Sequence, residues 1–235
     1  MEANRIQEIY EILEEEIVQL KILPGEILSE NTLCKRFDVS RTPVRSVLQR
    51  LQQNGFVQIL PHKGTIVTPI CLHVASQWIY QRLAVESMVL RDFLRICSPT
   101  DIARIRYVHT LLQKSERTLY EDPAHFSVND FLAVDLSMHR IWFQVTDKLY
   151  LWDNLTRPQA DYSRFIRLDV VGGRNVPDVM CEHEQLIRII EEKDEEGIEP
   201  LLERHLYGGV RRMGGQLFSE ELQDYFVPAK AVEVM

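Results

Sequence analysis

The 235-residue chain holds 45% hydrophobic and 26% charged residues at a net charge of −8, the balance of an ordinary globular protein of one large or two small domains. Cys34, Cys71, Cys97 and Cys181 lie far apart without a CxxC pair, which excludes a dense disulfide framework and fits a reducing, cytoplasmic compartment. The acidic opening MEANRIQEIYEILEEEI has no signal-peptide core, and no apolar run reaches the roughly 20 residues of a membrane span, so no membrane partner is expected.

In chain order, Ile6, Ile9, Leu13, Ile17 and Leu20 keep a 3–4 spacing that predicts an amphipathic helix over 4–20, ended by Pro24-Gly25. Ser29 is an N-cap candidate for a short helix over about 30–36, with Leu33 and Phe37 on its buried side. Asp38-Val39 marks a tight turn, and Ser40 a second N-cap candidate. The next helix has Pro43 in its first turn, an inner face of Val44, Val47, Leu48 and Leu51, and Gly55 at its end. Two strands, 56–60 and 65–69, flank a turn at His62, Lys63 and Gly64. Helix, short helix, turn, helix and hairpin is a winged helix-turn-helix plan, in which the second helix of the pair enters the DNA major groove.

The charge distribution agrees with that plan. Residues 1–34 hold two basic and eight acidic groups, whereas 35–63 hold Lys35, Arg36, Arg41, Arg45, Arg50 and Lys63 against Asp38 alone. A duplex feels the face presented to it rather than the whole-chain charge. Arg41 and Arg45 are four residues apart and share one helical face, where a guanidinium can fork onto a guanine edge or a phosphate. Ser40 and Thr42 can reach a phosphate from the helix start, and Lys63 can touch backbone or minor groove from the hairpin tip.

Beyond residue 70 the pattern is helical. Helices are expected within 70–98 up to the Ser98-Pro99 break, over 101–119 with Thr100 or Asp101 as cap, from Ser127 or Asn129 to Val145, over 148–166, 178–193 and 197–216, with a loop at 171–177. The fold class is thus mainly α: a winged helix-turn-helix followed by an all-α bundle of six to seven helices. The domain reading is 1–70 for the winged domain, 71–92 for a linker and first helix, 93–220 for the ligand-binding helices and 221–235 for a tail.

Within the bundle, Asp135 and His139 are spaced i, i+4 on one face, His183 lies on the next-to-last helix and His205 on the last. Three imidazoles and a carboxylate suit a divalent transition metal with positions left open for a ligand. The alternatives are a local Asp–His hydrogen bond and a solvated His183 between Glu182 and Glu184. Arg140, Arg157, Arg164 and Arg167 lie in the same region, and one turned inward would bind a carboxylate in a fork. Arg82 and Glu86 read as a surface or inter-helix ion pair.

The sequence resembles a GntR-type transcriptional regulator of the FadR-like class with an FCD ligand-binding domain. The likeness is carried by SENTLCKRFDVSRTPVRSVLQRLQQNGFVQILPHKGTIV, by LAVES, by DLSMH at 135–139, by EHEQLIRIIEEKD at 182–194 and by LLERHL at 201–206. It implies DNA contacts at Ser40, Arg41, Thr42, Arg45, Lys63 and Gly64, with Asn31 at a helix position that is often charged. It implies metal ligands at Asp135, His139, His183 and His205, with zinc, nickel or manganese as the ion. It also implies a homodimer on a palindromic double-stranded DNA operator, acting as a repressor of metabolic genes and released by a small organic acid or sugar acid. Thr146-Asp147-Lys148 departs from a Gly-Asn common after the first ligand helix. The competing readings are a metal-free regulator of fatty-acyl ligands and a metal-dependent enzyme acting on a small carboxylate.

Overall fold

The computed structural model describes residues 2–171, 175–214, 219 and 222–227. Two compact units emerge, one from 1–76, 158–168 and 214–235, the other from 77–157 and 169–213.

The first unit is a winged helix. Helix α1 (Glu2–Val18) buries Ile9, Leu13 and Ile17, as its spacing predicts, and stops before Leu20, which adopts a left-handed φ of 56°. Strand β1 (Ile27–Leu28) is too short for any periodicity to announce it. Ser29 caps α2 (Glu30–Phe37) by accepting from the Thr32 amide, and Asp38 ends it with φ 50°. Helix α3 (Arg41–Gln53) packs Val44, Val47, Leu48 and Leu51 inward. It closes in a Schellman turn: the Gly55 and Phe56 amides donate to the carbonyls of Gln52 and Leu51, and Gly55 takes φ 79°, a region a side chain would strain. Strands β2 (Val57–Leu60) and β3 (Gly64–Val67) form the wing, and β3 also pairs with β1, all antiparallel in the order β1-β3-β2.

The second unit is helical. Helix α4 (Leu72–Ile96), whose first residues belong to the winged unit, is followed by α5 (Pro99–Glu121), α6 (Val128–Val145), α7 (Leu149–Leu155), α8 (Ala160–Val170), α9 (Val176–Glu192), α10 (Ile198–Leu206) and α11 (Gly208–Met213). The helix expected over 148–166 is two helices, because Pro158 disfavours helical backbone at the residue before it. Residues 160–168 of α8 then join the winged unit, where Ala160 enters the core. Ser98, rather than Thr100 or Asp101, caps α5, in a reciprocal box with Asp101. Val176 and Pro177 start α9 instead of lying in the preceding loop, because proline suits the first helical turn. The last predicted helix breaks at Tyr207. Residues 172–174 of the predicted loop, 215–216 of the predicted last helix, and 221 and 228–235 of the predicted tail lie outside the described residues. Phe93, Phe131, Trp142, Phe143, Leu112 and Ile190 are almost fully buried and anchor the helical core.

Candidate functional site

On the winged unit, the α2–α3 pair presents one polar surface. Ser40 occupies the N-cap of α3, yet its hydroxyl makes no capping bond. Arg41, Thr42 and Arg45 are exposed on the first turns of α3, and Lys63 and Gly64 are exposed on the wing. Gly64 holds φ 100° at the strand start. Arg41 donates to the Asn31 side-chain oxygen at 3.1 Å, and the Arg45 Nε shares both Glu30 oxygens at 3.1 Å. The first turn of α2 therefore orients both arginines. Two other members of the basic run are directed elsewhere: Arg36 pairs with Glu16, and Arg50 lies 3.9 Å over the Tyr10 ring. The exposed cationic surface is consequently narrower than the 35–63 segment.

In the helical unit, three helices bring the four expected side chains together. Helix α6 supplies Asp135 and His139 one turn apart, α9 supplies His183, and α10 supplies His205. One ligand atom from each lies within 4.8 Å of the others. His139 and His183 are fully buried, so His183 is not the solvated residue its acidic neighbours would allow. The imidazole rings gather with centroid separations of 4.8 Å between His183 and His205, 5.2 Å between His139 and His205, and 5.8 Å between His139 and His183.

The nitrogens are what make the cluster fit a metal. His139 Nε2 and both His183 ring nitrogens are buried without a hydrogen-bond partner. The His183 Nε2 lies 3.2 Å from Asp135 Oδ1, within ion-pair reach but without hydrogen-bond alignment. Buried nitrogen atoms left so are expensive unless something accepts their lone pairs. Burial pushes the His183 imidazole down to about 4, outweighing the pull of Asp135, and so favours the neutral ring that ligates metals. Burial would raise the Asp135 carboxyl, but the His183 ring, with His139 and His205, holds it well below the usual carboxylate range. Imidazole nitrogens around a carboxylate are the donor arrangement for a divalent transition ion.

Residues 5–67 match the model for bacterial regulatory proteins of the gntR family, and residues 79–208 match the FCD domain. This chain belongs to the GntR family of FCD-domain transcriptional regulators. A relative named HTH-type transcriptional repressor RspR, from Escherichia coli K12, is 28% identical over 92% of this chain and 94% of its own length. The gluconate operon transcriptional repressor of Bacillus subtilis 168 is 27% identical over 76% of this chain and 72% of its own. Two solved structures share the fold: E. coli McbR/YncC, at TM-score 0.66 and 15% identity over 90% of this chain and 98% of that one, and a GntR-type protein from Rhodococcus sp. RHA1, at 0.67 and 18% over the same shares. The family is one of regulators, not enzymes, and among the described residues no helix is long and apolar enough to cross a membrane.

In this GntR-family chain the expected effector arginines do not sit together. Arg140 is exposed in a groove of about 490 Å³ between α5 and α6, and Arg157 is exposed after α7. Arg164 calls for a correction. It is fully buried in the winged unit, where its Nη1 donates to the Thr68 carbonyl at 2.5 Å and its Nε donates to the Ala160 carbonyl. Arg167 likewise donates to the Gln19 carbonyl.

One arginine joined to the histidine cluster is Arg82. Its Nε donates to Glu86 Oε1 at 2.6 Å, and Glu86 Oε2 accepts from His139 Nδ1 at 2.6 Å. Arg82 and Glu86 are thus a buried pair within α4, not a surface or inter-helix one. Burial would raise the Glu86 carboxyl, but Arg82 and His139 outweigh it and hold it at about 2. Their i, i+4 spacing was visible in the sequence, whereas their burial was not.

Proposed function

We propose that this regulator is a homodimeric repressor of metabolic genes. It leaves a palindromic operator when a small organic acid or sugar acid binds at a divalent metal held by Asp135, His139, His183 and His205. The observation that carries the reading is the convergence of four ligand atoms within 4.8 Å, with His139 Nε2 and both His183 ring nitrogens buried and without a hydrogen-bond partner. A regulator that bound acyl chains without metal would leave those nitrogens unexplained. Zinc, nickel and manganese all accept this donor set, and such an ion supplies a Lewis-acid contact for an effector carboxylate. The relative named for the gluconate operon supports a sugar acid as the effector class.

On the DNA side, Arg41 and Arg45 read base edges or fork onto phosphates. Ser40 and Thr42 use the start of α3 to hold phosphate, Asn31 aims Arg41, and Lys63 and Gly64 bring the wing to the backbone. A dimer places two such α3 helices about 34 Å apart, one helical turn of duplex. The effector shifts the balance between DNA-competent and incompetent dimers only by its difference in affinity for the two.

The test begins with metal. Purified chain loaded with zinc and dialysed is expected to retain one ion per chain, and the His139→Ala variant to retain none. A panel of sugar acids and dicarboxylates is then screened for release of a duplex enriched from a random pool. Sub-stoichiometric zinc in the wild-type chain after loading overturns the metal; release by acids that is equal in His139→Ala overturns the effector's place on it.

A further inference from the structure

We infer that Glu86 and Glu182 are the positioning residues of this metal site: each holds one ligand imidazole by its Nδ1 and so presents the Nε2 lone pair to the ion. The inference rests on the metal reading above and adds two residues outside the ligand set, Glu86 on α4 and Glu182 on α9. His139 Nδ1 lies 2.6 Å from Glu86 Oε2, and His205 Nδ1 lies 3.0 Å from Glu182 Oε2. A neutral imidazole carries its proton on one nitrogen only, and the hydrogen bond made by that nitrogen decides which face is left to ligate. An ionised carboxylate can only accept, so a glutamate at Nδ1 fixes the proton there. The two rings face each other nearly stacked at 5.2 Å, each with its Nδ1 turned to its own glutamate.

The glutamates are themselves held in place. Glu86 is fully buried, and its other oxygen accepts from Arg82 Nε at 2.6 Å. Glu182 is buried on α9, with its other oxygen 3.9 Å from Arg204 Nε. A glutamate at the Nδ1 of a histidine therefore arises twice, from α4 to α6 and from α9 to α10, but only Glu86 is held in turn by a hydrogen-bonded arginine; Arg204, half-exposed on α10, reaches Glu182 as a long ion pair. His183 is different. Its Nδ1 has no hydrogen-bond partner, so its orientation comes from packing and from Asp135 alone.

The test uses the full chain and zinc alone. Zinc affinity is read by competition with a chromophoric chelator for wild type, Glu86→Ala, Glu86→Gln, Glu182→Ala and Glu182→Gln. Each alanine variant is expected to lose about 10–100-fold in affinity. Each glutamine variant is expected to recover part of that loss, because an amide oxygen still accepts from Nδ1–H. In the metal-free protein, at a pH well above the roughly 6.5 of free histidine, long-range 1H–15N spectra are expected to show His139 and His205 as Nδ1–H tautomers. The corresponding ring becomes a tautomer mixture in each alanine variant. Unchanged zinc affinity, with both rings still in the Nδ1–H form, overturns the inference even if the variants melt earlier, since a purely structural carboxylate would move only the melting temperature. If Glu86→Ala fails to fold, Glu182→Ala decides. Wild-type chain that binds no zinc sinks the metal reading, and this inference with it; wild type that binds while the glutamate variants bind equally sinks the inference alone.

Discussion

The two candidate sites treat polar groups in opposite ways. On the winged unit Arg41, Arg45 and Lys63 stand in solvent, and the arginines lean on Asn31 and Glu30 through exposed contacts of 3.1 Å. Such exposed pairs contribute little to stability, so they can be exchanged for phosphate or a base edge with small penalty. In the helical unit His139, His183 and Glu86 are excluded from water, and Arg82 is nearly so. There an unmet polar atom is costly, and an ion that meets several at once binds with the energy those atoms would otherwise forfeit. The first surface leaves its cations available to solvent and to salt-dependent attraction. The second excludes water, so only a partner that meets its buried nitrogens and carboxylate would bind there.

The sharpest way to break this contrast is to remove a buried ligand. His183→Ala deletes a donor with no neighbour to replace it, so zinc affinity should fall further than the roughly 10–100-fold expected for an outer partner. Chelator competition measures it, and an affinity like that of wild type would remove His183 from the set. Metal removal is the next largest effect. At a free zinc concentration 100 times Kd, binding to the folded state alone adds about 2.7 kcal/mol of stability. Melting of the zinc-loaded chain should therefore shift downward when a chelator is added, while His183→Ala should melt at one temperature with or without it. A chelator that leaves the wild-type melt unmoved would show that the buried nitrogens are satisfied without an ion.

The contrast also explains what was legible in the sequence. The winged helix is built from local signals: Ser29 at a cap, Pro43 in a first turn, Gly55 at a Schellman turn, and inner faces at helical spacing. Each signal acts within one turn of chain. The Asp/His cluster was legible in its residues, because Asp135 and His139 declare their shared face, but their meeting with His183 and His205 depends on the packing of α6, α9 and α10. Arg82 and Glu86 were misread for the same reason. Their spacing is that of a surface pair, and only the bundle puts them in its interior. Arg164 failed the other way. Its place in the chain puts it among the bundle helices, while Pro158 separates α7 from α8 and its guanidinium is taken by the carbonyls of Thr68 and Ala160.

On the exposed surface the expected effects are smaller. Arg45→Ala should weaken binding to an enriched duplex by about 10–100-fold and leave zinc affinity untouched. Fluorescence anisotropy against the enriched and a scrambled duplex separates loss of base reading from loss of charge. An equal drop on both would make Arg45 a phosphate contact, and no drop on either would mean that α3 is not the reading helix.

Lys63→Ala is the gentlest test and the one that isolates the wing. Lys63 sits between His62 at φ 62° and Gly64 at φ 100°, in a turn closed by its own amide donating to the Leu60 carbonyl at 3.1 Å. The backbone fixes the turn, so the side chain can be truncated without disturbing β2 or β3. Arg36 is paired with Glu16 and Arg50 lies over the Tyr10 ring, so beyond these two Lys63 is one of four exposed cations of the 35–63 run, with Lys35, Arg41 and Arg45. If it meets one phosphate, its loss should lower the slope of log affinity against log salt by about 1, equally for every duplex sequence. A preserved slope would place the wing away from the backbone and leave recognition to α3 alone; a change confined to one sequence would instead put Lys63 in a groove.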